Sequence, residues 1–166
     1  MRSGSHALLD EAAVLIGRLR ERGHTLALAE SCTGGLIGAA LTAVPGASEV
    51  FWGGLTSYDD AAKRALLGVS EATLRRYGAV SRAVAEEMAA GARRVARSTW
   101  SIAVTGIAGP SGGTAEKPVG TVWIALDGPS SEARCHNFGD SRNEIREAAA
   151  VEAMRWLGSR VPLPGS

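Results

Sequence analysis

Residues 30–35 read ESCTGG, and they place Ser31 directly after a short apolar run, where a strand is expected to turn into a helix. The N–H groups at a helix start are free, and they can hold the oxyanion that forms when a hydroxyl attacks an amide carbonyl. Ser31 is therefore a candidate nucleophile, with Thr33 and Gly34 as candidate oxyanion or substrate contacts. The alternative, which spacing alone favours, is that Ser31 or Thr33 only caps the helix.

A serine hydroxyl needs a base to become a nucleophile. Lys63 lies one turn into a predicted helix, and Tyr58 lies five positions earlier, at the end of a predicted strand. A partly desolvated lysine can accept a proton. Tyr58 would either relay this proton or orient the lysine. Alternatively, Lys63 is an exposed helix charge paired with Asp59 at i,i+4. Three residues are poorer bases, because a helix, a helix end and a hairpin are predicted around them: His6, His24 and His136.

A glycine-rich loop, residues 105–114 (TGIAGPSGGT), follows a third predicted strand. Glycines let backbone N–H groups approach a phosphate closely. The candidate phosphate contacts in this loop are Thr105, Gly106, Gly109, Gly112 and Gly113. The Gly-Lys-Ser/Thr ending of a P-loop is missing, so the loop does not imply a nucleoside triphosphate with magnesium.

Two arginines one helical turn apart, Arg142 and Arg146, lie near the start of the last predicted helix, where they would suit an anion. Solvated surface charge is the alternative for both. Ser48 is a second candidate hydroxyl. It precedes the second strand, and seven extended residues span about 23 Å, so a simple parallel arrangement places it far from Lys63. Ser48 is thus the second choice of nucleophile, or a substrate contact, if the loop at 45–46 folds back or a partner subunit supplies it.

Hydrophobic periodicity and turn residues predict the elements that position these side chains. Strands are predicted at 25–29, 51–57, 100–104, 120–126 and 132–138. Helices are predicted at 6–22, from about 35 to before Pro45, and at 142–157, before a frayed tail at 161–166. Three more are predicted to start at cap residues: from Asp59 to Leu67, from Ser70 to Tyr77, and after Ser81. The helix after Ser81 carries Val84, Met88, Gly91 and Val95 on one face.

Strands that alternate with helices before a terminal hairpin predict a three-layer α/β/α sandwich with a mixed, mainly parallel sheet of about five strands. A right-handed crossover makes the first two strands parallel. Ligands bind beyond the carboxyl ends of such strands. Ser31, Tyr58 and Thr105 all follow strands, so we expect them to converge there.

Composition indicates one domain over residues 1–166, with an ordered core of about 6–158. A net charge of +1 argues against a generic nucleic-acid or anionic-membrane binder. The longest apolar stretch, 34–44, is far shorter than the ~20 residues of a membrane helix, and the N-terminus lacks the apolar core of a signal peptide. Cys32 and Cys135 form no disulfide framework and no set of metal ligands. A cytoplasmic protein without metal or cofactor is expected.

The sequence contains five separated motifs: AESCTGG at 29–35, Tyr58 with Lys63 and LGV at 67–69, GAVS at 78–81, TGIAGP at 105–110 continuing through Gly112 and Gly113, and KPVGTV at 117–122. Together, over about residues 6–158, they closely resemble the CinA C-terminal domain, the nicotinamide-nucleotide amidase family. The resemblance implies a three-layer fold, often in homo-oligomers. It also implies a metal-free Ser/Lys amidohydrolase of pyridine-nucleotide salvage, which converts nicotinamide mononucleotide to nicotinate mononucleotide and ammonia.

The sequence departs from the family pattern at two places. Asp60 stands where the family usually has Asn, and the Gly-Asp between Phe138 and Arg142 is shifted. The molybdopterin-binding-like domain of many relatives has no counterpart in this sequence, so its pyrophosphatase activity is not expected. Two other functions stay open: a catalytically silent nucleotide-binding or regulatory module, and an amidase for another small amide. Ammonia release from nicotinamide mononucleotide separates the module from the enzyme.

Overall fold

A computed structural model of the chain describes residues 4–163 and residue 165. Within this part the helices are α1 (Gly4–Arg22), α2 (Leu36–Thr42), α3 (Asp60–Leu67), α4 (Glu71–Tyr77), α5 (Arg82–Ala96) and α6 (Arg142–Arg160). The strands are β1 (Leu26–Glu30), β2 (Phe51–Thr56), β3 (Trp100–Gly106), β4 (Thr121–Asp127) and β5 (Glu132–Asn137). A one-turn 3₁₀ helix, Ala47–Glu49, which the sequence did not predict, precedes β2.

The five strands form one open sheet in the order β2-β1-β3-β4-β5. β1 pairs in parallel with β2 and β3, whereas β4 is antiparallel to both β3 and β5, so β4 alone of these strands runs in the opposite direction. The predicted mixed sheet and the parallel first pair are confirmed. Glu30 pairs with Thr56 on one side and Val104 on the other, so three strands end at the same edge of the sheet.

Alternating side chains on the strands decide which helices cover which face. In β1, Leu26 and Leu28 belong to the core formed with α1, α2 and α6, whereas Ala27 and Ala29 belong to the core formed with α5. Successive strand residues point to opposite faces, so one face carries large side chains and the other small ones. The small face lets α5 lie close against the sheet, and the predicted three-layer architecture is confirmed.

The predicted helix caps Asp59, Ser70 and Ser81 are confirmed. Their side chains accept hydrogen bonds from backbone N–H groups at 2.7, 2.9 and 3.3 Å. The start of α2 differs, because Gly35 precedes the helix and provides no side-chain cap. Neither Ser31 nor Thr33 therefore caps α2, and that alternative is wrong.

Two further expectations need correction. Val95 is 47% exposed, because the buried stripe of α5 is centred on Ala89 and Ala92 and the last turn of the helix reaches solvent at its edge. Val161, placed by sequence in a frayed tail, is buried and donates its N–H to Leu157 O. Two residues of that tail, Pro164 and Ser166, lie outside the described residues, as do residues 1–3. No helix in the described ranges is long and apolar enough to cross a membrane.

Candidate functional site

A small cavity of about 160 Å³ lies at the common carboxyl edge of the parallel strands. Ser31 follows β1, Tyr58 follows β2, and Thr105 lies near the end of β3. The cavity is lined by Ser31, Cys32, Tyr58, Asp60, Lys63, Ala79, Val80, Thr105, Gly106, Ala108 and Arg142. The structure thus brings the three proposed catalytic residues together with part of the proposed substrate contacts, whereas the predicted contacts Thr33 and Gly34 do not line the cavity.

Lys63 is buried, with only 1% of its surface exposed. Its Nζ donates a hydrogen bond to Tyr58 O at 3.0 Å and lies 3.5 Å from the Asp60 carboxylate. An exposed helix charge paired with Asp59 is therefore the wrong interpretation of Lys63. Burying a lysine requires partners, and the structure supplies a main-chain oxygen and one carboxylate. Within residues 4–163, no hydrogen bond joins Lys63 Nζ to Ser31 Oγ.

The turn that carries Ser31 is fixed by main-chain hydrogen bonds. Ser31 N–H donates to Val104 O at 2.9 Å, and Gly34 N–H donates to Ser31 O at 3.0 Å. The Gly34 N–H is therefore occupied, whereas the Thr33 N–H has no partner among the described residues. Because α2 begins only at Leu36, the free N–H belongs to a turn and not to the predicted helix start.

Arg146 holds this turn from the side opposite its N–H groups. Its guanidinium donates to Cys32 O and to Thr33 O, each at 3.0 Å. In a trans peptide the N–H points away from the preceding carbonyl, so the Thr33 N–H is directed away from Arg146. Arg146 was predicted to contact substrate, but it does not line the cavity. Its contacts indicate a positioning role.

Glu30 is a buried carboxylate that the sequence analysis did not assign a role. It is 2% exposed and accepts hydrogen bonds from the N–H groups of Ile37 at 2.9 Å and Gly38 at 3.1 Å. It thereby stabilises the first turn of α2 in place of a cap residue. The sequence signal for this role was an acidic residue between a predicted buried strand and a predicted helix start. Because Glu30 binds the N–H groups at the start of α2, the Ser31 hydroxyl is not needed there and is free to act in the cavity.

Cys32, next to Ser31, is a poor competing nucleophile. Burial raises the pKa of its thiol to about 11, although the nearby positive charges of Arg146 and Lys63 act in the opposite direction. The thiolate is the reactive form of cysteine, so Cys32 is largely inactive near neutral pH.

Arg142 forms the rim of the cavity. One guanidinium nitrogen donates to Gly109 O at 2.6 Å, and another donates to the Tyr58 hydroxyl at 2.9 Å. The side chain thus joins the glycine-rich loop to the end of β2. Tyr58 is 59% exposed, so this contact lies at the mouth of the cavity. Arg142 gives the cavity a cationic rim, and inside it the Lys63 amine lies beside the Asp60 carboxylate.

The glycine-rich loop contributes less to the cavity than predicted. Thr105 Oγ1 donates to Ala79 O at 2.9 Å, and Gly106 is the member of the glycine set that lines the cavity. A Cβ at position 106 would lie 2.6 Å from the Val122 side chain, so close packing there requires glycine. The remaining predicted contacts lie outside the cavity lining: Gly109, Gly112 and Gly113.

Ser48 lies away from the cavity within one chain. It is exposed on the one-turn helix at the amino end of β2, the opposite edge of the sheet. There it borders an open groove of about 520 Å³ that Phe51 and Trp52 also line. The loop at 45–46 does not fold back towards Lys63.

Metal-binding side chains are not clustered in the described part of the chain. No group of three or more His, Cys, Asp or Glu residues there is placed to hold a metal ion. Cys32 and Cys135 are free thiols. The His136 ring stacks on Phe138 with centroids 5.3 Å apart.

The fold and the cavity define the class of protein: a three-layer α/β domain with a small polar cavity at the carboxyl edge of its parallel strands. Residues 9–161 match the CinA C-terminal domain, and the chain belongs to that family. The CinA-like protein of Trichormus variabilis is 48% identical over 157 residues, and that of a Cyanothece species is 50% identical over 153 residues. These matches cover 92% and 89% of this chain, but only 38% and 36% of the relatives.

Solved structures agree with this family assignment. The competence/damage inducible protein CihA from Agrobacterium tumefaciens is 43% identical, with a TM-score of 0.87 over 92% of this chain and 94% of that one. A CinA superfamily protein from Klebsiella pneumoniae is 34% identical, with a TM-score of 0.90 over 93% of this chain and 97% of that one. The chain therefore shares the fold of these proteins over nearly its whole described length.

Proposed function

We propose that this domain hydrolyses the carboxamide of nicotinamide mononucleotide to nicotinate mononucleotide and ammonia, as part of cytoplasmic pyridine-nucleotide salvage. The observation that carries the proposal is a lysine, Lys63, buried in the same small cavity as the Ser31 hydroxyl, at the edge where three strands end. The choice of nicotinamide mononucleotide as the substrate rests on the resemblance of the sequence motifs to the family. The names of the relatives state no activity.

In the proposed reaction Ser31 Oγ attacks the amide carbon while the Lys63 amine, acting as general base, takes its proton. The proton passes to the amide nitrogen, the carbon–nitrogen bond breaks and ammonia leaves. Water then attacks the nicotinoyl ester, the ester bond breaks, and Ser31 regains a proton. Tyr58 supports this chemistry through its carbonyl, which holds Lys63 Nζ at 3.0 Å.

The oxyanion of each tetrahedral intermediate needs a donor that is already in place. The Thr33 N–H is the donor we assign, because it lies two residues from Ser31 and has no partner in the described ranges. Arg146 fixes the peptide that carries this N–H by binding Cys32 O at 3.0 Å. Gly34 contributes to the turn but not to the oxyanion, since its N–H is bonded to Ser31 O.

The cavity volume of about 160 Å³ suits one part of the substrate. Sites that enclose a drug-sized ligand measure roughly 300–1,000 Å³, so the cavity takes the pyridine ring with its carboxamide and leaves the ribose phosphate outside. Arg142, on the rim, is placed to meet the phosphate. The positive charge of the pyridinium ring makes the amide carbon more electrophilic, and the mechanism needs no metal to polarise it.

The proposal is tested by ammonia release from nicotinamide, its riboside, its mononucleotide and an unrelated small amide. We expect ammonia from the mononucleotide above all. Faster release from the unrelated amide would identify an amidase of different specificity.

The second candidate is a nucleotide-binding module without catalysis. The observation that favours it is the bonding of Lys63 Nζ to Tyr58 O and Asp60, with no hydrogen bond to Ser31 Oγ in the described residues. Isothermal titration with nicotinamide mononucleotide separates the two functions. Saturable binding without any ammonia would establish the module and overturn the amidase.

A further inference from the structure

Asp60 is the acidic side chain of the cavity. Among the lining residues in the described part of the chain it is the one carboxylate, and the basic groups there are Lys63 and Arg142. Glu30 is buried, with its carboxylate bound to N–H groups at the start of α2, and it does not line the cavity. The negative charge of the cavity wall therefore lies at one position, on the first residue of α3.

The Asp60 carboxylate is not needed to build α3. Asp59 caps that helix by accepting the Ala61 N–H at 2.7 Å. The Asp60 side chain is 58% exposed and accepts no hydrogen bond within residues 4–163. Its ion pair in that range is with the Lys63 Nζ, which lies 3.5 Å from Oδ1. The second carboxylate oxygen is therefore available to a ligand in the cavity.

The charges of the cavity match those of the proposed substrate in sign and order. Nicotinamide mononucleotide has a positive pyridinium ring and, beyond the ribose, a negative phosphate. Arg142 lies on the rim, where it binds the exposed Tyr58 hydroxyl, whereas Asp60 reaches further in, beside the buried Lys63. A substrate with its amide at Ser31 and its phosphate at Arg142 thus places its ring near the carboxylate. Complementary charges arranged in this way give specificity and fix the orientation of a ligand.

We propose that Asp60 is a specificity residue that selects amides on a positively charged ring over neutral amides of the same shape. The choice of ring rests on the proposed function. The Arg142 guanidinium repels a cationic ring, and so does Lys63 once it has taken the Ser31 proton. The Asp60 carboxylate offsets this repulsion and attracts the ring. Since its side chain is partly exposed, water weakens the attraction, and we expect a contribution of about three- to tenfold in relative affinity.

Asp60→Asn is the variant that isolates the charge. Asparagine has nearly the same shape and keeps an oxygen near Lys63, and the hydrogen bond of Lys63 Nζ to Tyr58 O is untouched. Asparagine is also the residue that the family pattern has at this position, so the variant is expected to fold. Asp59→Asn is the matched control. It removes the same charge one residue away, outside the cavity lining, and asparagine caps a helix as well as aspartate does.

The role of Asp60 is tested with two probes of the same shape. N1-methylnicotinamide carries the positive ring, and 3-methylbenzamide has the same outline with a carbon in place of the ring nitrogen. Both correspond to the part of the substrate that the cavity of about 160 Å³ takes, and neither has a phosphate for Arg142. Titration followed by NMR of the protein gives both dissociation constants. Their ratio cancels any change in cavity shape that weakens both probes equally, as a merely structural role of Asp60 would.

We expect the unchanged chain and Asp59→Asn to bind the cationic probe more tightly than the neutral probe. Asp60→Asn should reduce this preference by about three- to tenfold. An unchanged chain that does not prefer the cationic probe overturns the role of Asp60, and so does a preference that persists in Asp60→Asn. An equal reduction in Asp59→Asn also overturns it, because the effect would then come from the overall charge of the chain.

The titration separates this inference from the proposed activity, because binding of the probes requires no turnover. If the unchanged chain releases no ammonia from nicotinamide mononucleotide but prefers the cationic probe, the proposed activity fails and the role of Asp60 stands. If it releases ammonia and binds both probes equally, the activity stands and the role of Asp60 fails.

Discussion

Ser31 and Lys63 line the same cavity, but each is held by its own main-chain partner. Ser31 N–H bonds to Val104 O, and Lys63 Nζ bonds to Tyr58 O. The strand ends therefore set the position of both groups independently of any contact between their side chains. In the proposed mechanism the two act on one proton and should behave as a unit.

Ser31→Ala and Lys63→Ala are each expected to remove nearly all kcat, with the double variant little worse, because residues of one catalytic unit are not additive. Ser48→Ala should leave kcat nearly unchanged, because within one chain Ser48 lies at the opposite edge of the sheet from Ser31 and Lys63. Steady-state ammonia release measures all four variants. Arg64→Ala, an exposed neighbour of Lys63 on α3, is the control and should leave kcat unchanged. Near-normal turnover in a folded Ser31→Ala, with Ser48→Ala inactive, would make Ser48 the nucleophile.

Arg142 should give the domain its preference for a phosphorylated substrate. A charge-assisted bond to phosphate contributes about 1.5–3 kcal/mol, so kcat/KM for the mononucleotide should exceed that for the riboside roughly ten- to a hundredfold. Arg142→Ala should remove most of this ratio, whereas Arg82→Ala on α5 should keep it. Equal kcat/KM values for both substrates in the unchanged chain would show that the rim does not bind phosphate.

The two thiols should differ in reactivity. Cys135 is exposed, whereas Cys32 is buried with a pKa of about 11, so at pH 8 Cys32 is almost entirely protonated. Iodoacetamide should add one group to the native chain, at Cys135, and leave ammonia release unchanged. Mass spectrometry locates the modification, and the denatured chain should take up two groups. Rapid modification of native Cys32 would contradict the burial.

At the scale of elements, the contact between α5 and α3 depends on a single missing methyl group. A Cβ at Gly91 would overlap the carbonyl oxygen of Leu67, the last residue of α3. The same oxygen accepts a hydrogen bond from Arg94 at 3.0 Å. The approach of the two helices fixes the end of α3, and Lys63 lies one turn before that end.

Gly91→Ala is expected to lower the free energy of unfolding by about 1–3 kcal/mol, because a tightly packed contact is overfilled. Gly17→Ala on α1 is the matched control, since no atom lies within 4 Å of its added Cβ. There the better helix propensity of alanine should stabilise the chain by about 0.5–1 kcal/mol. Urea unfolding measures both variants. A stabilised Gly91→Ala would show that α3 and α5 are not in close contact.

Elements governed by local sequence were predictable, and contacts made across the fold were not. The caps Asp59, Ser70 and Ser81 act on N–H groups two or three residues away, so their sequence position suffices. Glu30 acts on Ile37 and Gly38 seven and eight residues away, and this contact requires the strand–turn–helix geometry to be known. The sequence therefore located the turn of Ser31 but not what holds it.

At the scale of the whole molecule, the order of strands determines which candidates meet. Parallel strands brought Ser31, Tyr58 and Thr105 to one edge, as expected, and left Ser48 at the other. Two features were not predictable, because they depend on how α3 and α6 pack: Lys63 is buried, and Arg146 binds main-chain carbonyls instead of substrate. Periodicity gives the faces of these helices but not their neighbours.

Activity is expected to be independent of divalent metal. The cavity combines a serine, a lysine and an arginine, and the proposed mechanism polarises the amide through the pyridinium charge. Ammonia release should therefore be the same before and after dialysis against EDTA, with metal content checked by mass spectrometry. Loss of most activity on chelation, with recovery on adding zinc or magnesium, would overturn the mechanism.

The oxygen that holds Lys63 belongs to the peptide backbone at position 58 and not to a side chain. Any amino acid at that position supplies the same carbonyl, so no amino-acid substitution there removes the hydrogen-bond acceptor of Lys63. Natural selection at position 58 can act only on what the phenol ring adds, including its hydrogen bond with Arg142. The hydrogen bond that holds Lys63 therefore depends only on the backbone conformation at position 58, whereas the Tyr58 ring can be replaced without removing it.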